Sequence, residues 1–144
     1  MDSSSVMVAA TETISRGRQA RKENKLSLAR EHYAEAAKIY RGQNDVLAYA
    51  HTIRHIADMY LDEAKHTEAR PLYEEALEIY RSNLDTKLLD LANTVRPYAQ
   101  LNEATGELEA ARQHWHEARN LYASLRLEAG VEECDRHISQ LRQA

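Results

Sequence analysis

The chain repeats one pattern of twelve residues three times, and this repetition restricts the folds that it can adopt. The pattern begins with Ala-Arg, has an aromatic residue at offset 4, Glu-Ala at offsets 6 and 7, and Tyr at offset 11. Its copies span residues 29–40, 69–80 and 111–122, so they start 40 and then 42 residues apart. Periods of this length are typical of helical repeat arrays. Offsets 0, 4, 7 and 11 share one face of an α-helix, which predicts that each copy packs this face against a neighbouring helix.

The composition favours an all-α fold. Only 4 Gly and 2 Pro occur in 144 residues, so the turn residues of a sheet protein are missing. We expect a single domain over 1–144, with repeats at about 8–43, 45–83 and 85–125. Each repeat is a helix followed by a second helix that carries the pattern. We expect a serine to cap the first helix, Ser27 the second, Asp45 the third and Asp85 the fifth.

A lone helix is predicted after the third copy. Apolar residues at 127, 131, 134, 138 and 141 repeat the spacing of the stripe at 46, 50, 53, 57 and 60. No further copy of the pattern follows them. We therefore expect a C-terminal capping helix at about 127–142, which covers the last repeat.

Charge and cysteine content narrow the function classes. The formal net charge of −4 argues against a general nucleic-acid binder, and no apolar run is long enough to span a membrane. A single cysteine, Cys134, excludes an internal disulfide and fits a reducing compartment. The first five residues are polar and acidic, which is not the pattern of a secretory leader. We expect a cytoplasmic protein.

The three copies resemble tetratricopeptide repeats. That family has small residues at repeat positions eight and twenty, an aromatic residue at twenty-four and Ala at twenty-seven. The matching residues are Gly17, Ala29, Tyr33 and Ala36, then Ala57, Ala69, Tyr73 and Ala76, then Ala99, Ala111, Trp115 and Ala118. The long period is similar to that of kinesin light chain-type repeats. The resemblance implies a right-handed α-α superhelix of three helix pairs plus the capping helix, with a concave groove that holds a peptide of a partner protein.

Candidate groove residues are those opposite the core stripe on the first helix of each pair. They are Arg18, Arg21, Lys22, His51, Arg54, His55, Asp58, Asn93, Arg96, Gln100 and Glu103, with Glu132, Asp135 and Ser139 on the capping helix. Arginine side chains suit carboxylates, so Arg18, Arg54 and Arg96 indicate an acidic peptide. The alternative is that these are ordinary solvated charges balanced by nearby carboxylates. The family's carboxylate clamp for chaperone C-termini is not expected, because Ile14, Arg18 and Pro97 occupy clamp positions.

The other patterns are explained more simply by packing and structural contacts than by catalysis or metal binding. His51 and His55 could share a metal at i, i+4 spacing, but no third ligand is evident. Cys134 falls on a core stripe, so we expect a buried apolar role. Glu35, Glu75 and Glu117 recur with the period, as do Arg30, Arg70 and Arg112, which indicates structural contacts between neighbouring helices. We predict no catalytic residue, no metal and no cofactor.

The sequence therefore predicts a non-enzymatic interaction module, a scaffold or adaptor, that binds a protein or peptide partner. The arginine positions indicate that this partner is acidic. An alternative is a self-associating homo-oligomer that pairs through its terminal helices. A third interpretation, a metal-dependent enzyme using His51 and His55, has the least support.

Overall fold

The computed structural model describes residues 2–142, and within them the fold is all-α. It has seven helices and no strand: α1 (Ser3–Lys22), α2 (Leu26–Gly42), α3 (Val46–Asp62), α4 (His66–Arg81), α5 (Leu88–Ala104), α6 (Leu108–Ser124) and α7 (Glu128–Arg142). The predicted three helix pairs and final helix are confirmed. The expected domain limits, 1 and 144, lie outside the described residues. No described helix has the length and apolar character needed to cross a bilayer.

Five of the six turns between helices use one device. Each has a residue with positive φ, between 55° and 80°, directly after the helix C-cap: Asn24, Asn44, Ala64, Gly106 and Arg126. In the first turn, Lys25 N–H donates to Ala20 O at 2.9 Å and Asn24 N–H to Arg21 O at 3.0 Å. This pair of bonds defines a Schellman motif, which satisfies carbonyls at the helix end. The motif keeps these turns short, so that each helix follows closely on the one before it.

Several predicted caps are wrong. The side chain of Asp2, not a serine, accepts the Ser5 N–H at 2.8 Å. Ser27 and Asp85 cap nothing: α2 begins at Leu26, and α5 begins only at Leu88. Only the Asp45 cap is confirmed, with its carboxylate accepting the Ala48 N–H at 3.2 Å. After the Schellman turn at Asn24, α2 starts with no side-chain cap hydrogen bond.

The two prolines lie inside helices. Pro71 is in the second turn of α4 and is exposed. Pro97 is buried within α5, which continues through it as one helix to Ala104. Each proline removes one backbone hydrogen bond, and the surrounding packing holds the helix together.

The repeated pattern forms the core, as predicted. The aromatic at offset 4 is fully buried in each copy: Tyr33, Tyr73 and Trp115 expose 2%, 0% and 0% of their surface. The alanines at offsets 0 and 7 are all at 0%. The final Tyr is buried in the second and third copies and half-buried at Tyr40. Small residues allow the helices to approach each other closely. For example, a Cβ atom added to Gly17 would lie only 3.0 Å from the Tyr33 ring.

Three apolar residues at the starts of helices are not in the core, although Val46 and Leu127 were predicted to begin core stripes. Val46, Leu88 and Leu127 expose 44%, 48% and 42% of their surface. Each lies at or just before the first residue of its helix, where no neighbouring helix covers it. The Glu and Arg positions that recur with the period contact other residues than one another: Tyr49 donates to Glu75, Arg81 to Glu117, and Arg30 to Glu63.

Contacts divide the chain into two compact units, one ending at Ile79 and the other beginning at Tyr80. In the first unit, Ala20, Ala29, Tyr33, Ile56 and Met59 form a core cluster. In the second unit, α6 packs against both α5 and α7. Each unit presents its own set of candidate site residues.

Candidate functional site

In the first unit, most of the predicted groove residues lie together on adjoining surfaces of α1 and α3. We call this surface the α1–α3 face; it comprises Arg18, Arg21, Lys22, His51, Arg54, His55, Asp58 and Asp62. Arg21 of α1 donates to Asp62 of α3 at 3.4 Å, which joins the two helices directly. The positive charges of Arg54, Arg21 and Arg18 all lower the pKa of His55.

His55 is a packed, uncharged residue. Its ring stacks on Tyr33 with centroids 5.8 Å apart and meets the His51 ring edge to face at 4.6 Å. Burial, together with the charges of Arg54 and His51, lowers the pKa of His55 to about 3. His55 is therefore neutral at physiological pH and contributes shape, not charge, to the face.

Arg54 and Asp58 form a partly buried pair at the base of this face. Arg54 Nη1 donates to Asp58 Oδ2 at 2.8 Å, and the Tyr73 hydroxyl donates to Asp58 Oδ1 at 2.6 Å. Burial raises the pKa of Asp58, although Arg54 and the Tyr73 hydroxyl oppose this effect. Because Arg54 is committed to Asp58, it positions the face more than it offers a free charge.

Arg18 and Lys22 supply the available positive charge. Both side chains are exposed, lie one helical turn apart on α1, and form no ion pair with another described residue. Four cationic side chains, at 18, 21, 22 and 54, face two carboxylates, at 58 and 62. The face is therefore positive in a chain whose formal net charge is −4.

In the second unit, the predicted residues on α5 are already bonded to neighbouring helices. Asn93 accepts a hydrogen bond from the Tyr122 hydroxyl at 2.7 Å. Arg96 contacts Glu133 of α7 through two hydrogen bonds, one of them at 2.8 Å. These contacts lower the pKa of Glu133, against the opposing effect of burial. The amide and guanidinium are thus held in fixed orientations.

Glu103 has a structural role that the sequence did not indicate. Its Oε1 accepts from Trp115 Nε1 at 2.5 Å and from His137 Nδ1 at 2.7 Å. The His137 ring stacks on Trp115 with centroids 4.0 Å apart. Glu103 therefore holds three helices of this unit together. Gln100, on the same helix as Glu103, is half-buried.

Asn93 and Arg96 also line an open cavity of about 460 Å³ between α5 and α7. We call it the α5–α7 cavity. Its other lining residues are Leu89, Tyr122, Leu127, Ala129, Gly130, Glu133 and Arg136. It combines apolar side chains with fixed polar groups, as ligand sites do.

Glu132, Asp135 and Ser139 of α7, which were expected to face the groove, do not line the α5–α7 cavity. Glu133 and Arg136 line the α5–α7 cavity, while Asp135 and Ser139 line a separate hollow beside α6. One residue rotates a helix by about 100°, so a small error in phase exchanges one neighbouring helix for another. Leu127, which lines the α5–α7 cavity, was predicted to belong to the core stripe of α7.

Among residues 2–142, no arrangement of side chains supports a metal site or a redox site. No group of three or more His, Cys, Asp or Glu side chains there has a metal-binding arrangement. Cys134 is fully buried, as predicted, and burial raises its pKa to about 11, so the thiol is unreactive. Two of the three clamp positions are occupied by packed residues, since Ile14 packs on the core cluster and Pro97 is buried.

Comparison with known proteins agrees with this geometry. A sequence profile of the tetratricopeptide repeat matches residues 8–82, more than half of the chain. The N-terminal domain of stress-induced protein-1 (STI-1) from C. elegans has a similar structure, with a TM-score of 0.70 at 19% identity, covering 94% of this chain and 99% of that one. BtubC (BKLC) from P. vanneervenii matches with a TM-score of 0.54 at 18% identity, covering 96% of this chain and 49% of that one. At these identities the two structures show the fold alone. No curated protein matches the sequence.

Repeats of this type make protein-interaction modules. The seven helices, the buried repeat pattern and the profile match agree, and the chain belongs to the tetratricopeptide repeat family.

Proposed function

We propose that this chain binds an acidic peptide segment of a partner protein, without catalysis. The α1–α3 face is the proposed contact of the first unit. Asn93, Arg96, Gln100 and Glu103 are the candidate contact residues of the second unit, taken by itself. The free cysteine fits a reducing compartment, so we place this binding in the cytoplasm.

One observation carries the proposal: the available cations Arg18 and Lys22 sit beside a rigid, packed surface. His55 and the Arg54–Asp58 pair are held by Tyr33 and Tyr73, so the face loses little side-chain freedom when a ligand binds. Arginine and lysine donors on such a surface favour carboxylates, and a positive face speeds the encounter with an anionic partner.

The test begins with selection of binders from a library of random short peptides on the immobilised full-length chain. The most enriched peptide is then synthesised with a fluorescent label, and its Kd is measured by anisotropy. The double variant Arg18→Glu/Lys22→Glu reverses both available charges. We expect its Kd to rise about tenfold, because two surface ion pairs together contribute about 1.4 kcal/mol.

Arg16→Glu/Lys38→Glu is the matched control. Arg16 is exposed on α1, two residues from Arg18 and so nearly on the opposite side, and Lys38 is exposed on α2. The control carries the same charge change and should bind as the unmodified chain does. If both double variants lose the same affinity, the effect comes from the net charge of the chain alone. If no peptide is enriched at all, peptide binding is refuted.

A further inference from the structure

We propose that the α5–α7 cavity is a subsite that takes an apolar side chain of the partner peptide next to one of its acidic residues. This inference rests on the proposed function and adds the sequence character that the peptide must have. The occupant is a Leu-, Ile- or Met-type residue with an adjacent Asp or Glu.

The apolar half of the cavity is formed by exposed leucines. Leu89 and Leu127 expose 43% and 42% of their surface, and both line the cavity together with Ala129. Large aliphatic side chains with this exposed fraction remain in contact with water until a ligand or a partner covers them. A single apolar side chain entering between them would remove surface from water on both leucines.

The shape of the cavity is fixed by a close contact that requires glycine. A Cβ on Gly130 would lie 2.6 Å from Cγ of Tyr122, so only glycine allows α7 to lie against that ring. The Tyr122 hydroxyl is in turn bonded to Asn93. The floor is therefore rigid, and the cavity exists before a ligand arrives.

The charges at the cavity select the neighbour of the apolar residue. Two cations, Arg96 and Arg136, and one anion, Glu133, line it. Arg96 is held by Glu133 in a bidentate pair, whereas Arg136 is exposed and forms no ion pair with any residue between 2 and 142. The excess of one positive charge lies at the edge of the apolar surface and complements a carboxylate beside the inserted side chain.

The test repeats the peptide selection on the unmodified chain and on two cavity variants, Leu127→Ser and Arg136→Glu. Peptides enriched on the unmodified chain should have Leu, Ile or Met within two positions of Asp or Glu. For the most enriched peptide we expect Leu127→Ser to weaken binding about tenfold and Arg136→Glu about fivefold, within the range of interface side-chain truncations. Leu89→Ser gives a second, independent loss of the apolar wall.

Leu108→Ser is the matched control, because Leu108 lies in the same unit, exposes 38% of its surface and does not line the cavity. It should leave Kd within about twofold. Circular dichroism of every variant should give the helix content of the unmodified chain, since all four positions are on the surface.

The outcomes separate the two proposals. If the cavity variants bind as the unmodified chain does while Arg18→Glu/Lys22→Glu is weakened, the subsite is refuted and peptide binding stands. If no peptide is enriched, both are refuted. If sedimentation velocity shows a dimer that Leu127→Ser converts to a monomer, the cavity is a contact between two copies and the subsite is refuted as well.

Discussion

At the scale of single residues, the structure depends on a few positions where one atom decides the packing. Gly130 is such a position, because its Cα lies against the Tyr122 ring. Gly130→Ala should lower the free energy of unfolding by about 1–2 kcal/mol, since overpacking outweighs the gain in helix propensity. Gly42→Ala is the control: that Cβ meets nothing within 4 Å at the end of α2. Urea unfolding of the two variants should therefore give changes of opposite sign.

The Arg96–Glu133 pair should make stability depend on pH. Arg96 lowers the pKa of Glu133 in the folded state, so the pair stabilises the fold when pH is above the ordinary glutamate pKa of about 4.5. This contribution is lost as pH falls through the lowered pKa. We expect the unmodified chain to exceed Glu133→Gln in unfolding free energy at about pH 7, and the two to converge as pH falls through the lowered pKa of Glu133. A gap that stays constant over this range would mean that the pair contributes nothing through ionisation.

At the scale of elements, the turns should differ in how well their residue suits positive φ. Ala64 has φ 59°, a conformation that is costly for a residue with a Cβ. Ala64→Gly should raise the free energy of unfolding by about 0.5–1 kcal/mol in urea titrations. Gly106 has φ 80° and open space around it, so Gly106→Ala should lower stability by a similar amount. Ala34→Gly, on the exposed side of α2, should lower it by about 1 kcal/mol and so shows that glycine is not stabilising everywhere. Equal effects at 64 and 34 would contradict the role of φ.

The elements themselves were predictable because each repeat copies its core stripe. Ala29, Tyr33 and Ala36 recur with the same spacing, and a buried face that appears three times fixes both helix type and phase. The turns were less predictable: Gly42 ends α2, and Asn44, not a glycine, takes the positive φ. Asn, Ala and Arg in this role carry little sequence signal, because the Schellman hydrogen bonds involve only the backbone.

The site was predictable in part for the same reason. Residues opposite a repeated stripe, such as Arg18 and Arg54, could be placed by phase alone. Which charges are committed depends on contacts between helices, and no periodicity encodes those. Arg96 with Glu133 and Glu103 with Trp115 are visible only once the helices have packed. Arg54 and Asp58, in contrast, lie one turn apart on α3, a spacing that the sequence itself contains.

At the scale of the whole molecule, a net charge of −4 and a positive α1–α3 face have opposite effects on an acidic partner. The overall charge repels it at long range, and the available cations at 18 and 22 attract it at short range. The Debye length falls from about 14 Å near 50 mM salt to about 4 Å near 500 mM. Salt therefore weakens both the long-range repulsion and the short-range attraction, but ion pairs at a few ångströms retain more of their energy.

These opposing terms predict a moderate dependence of peptide affinity on salt. We expect the Kd of the selected acidic peptide to rise about three- to tenfold between about 50 and 500 mM NaCl, because direct ion pairs dominate over the repulsion of the remaining surface. Arg18→Glu/Lys22→Glu removes those pairs and should flatten or reverse the dependence, since only repulsion and apolar contact remain. Anisotropy titrations at four salt concentrations measure both slopes. If the unmodified chain instead binds equally well at every salt concentration, the contact is apolar, and the leucines of the α5–α7 cavity would contribute more to binding than the cations of the α1–α3 face.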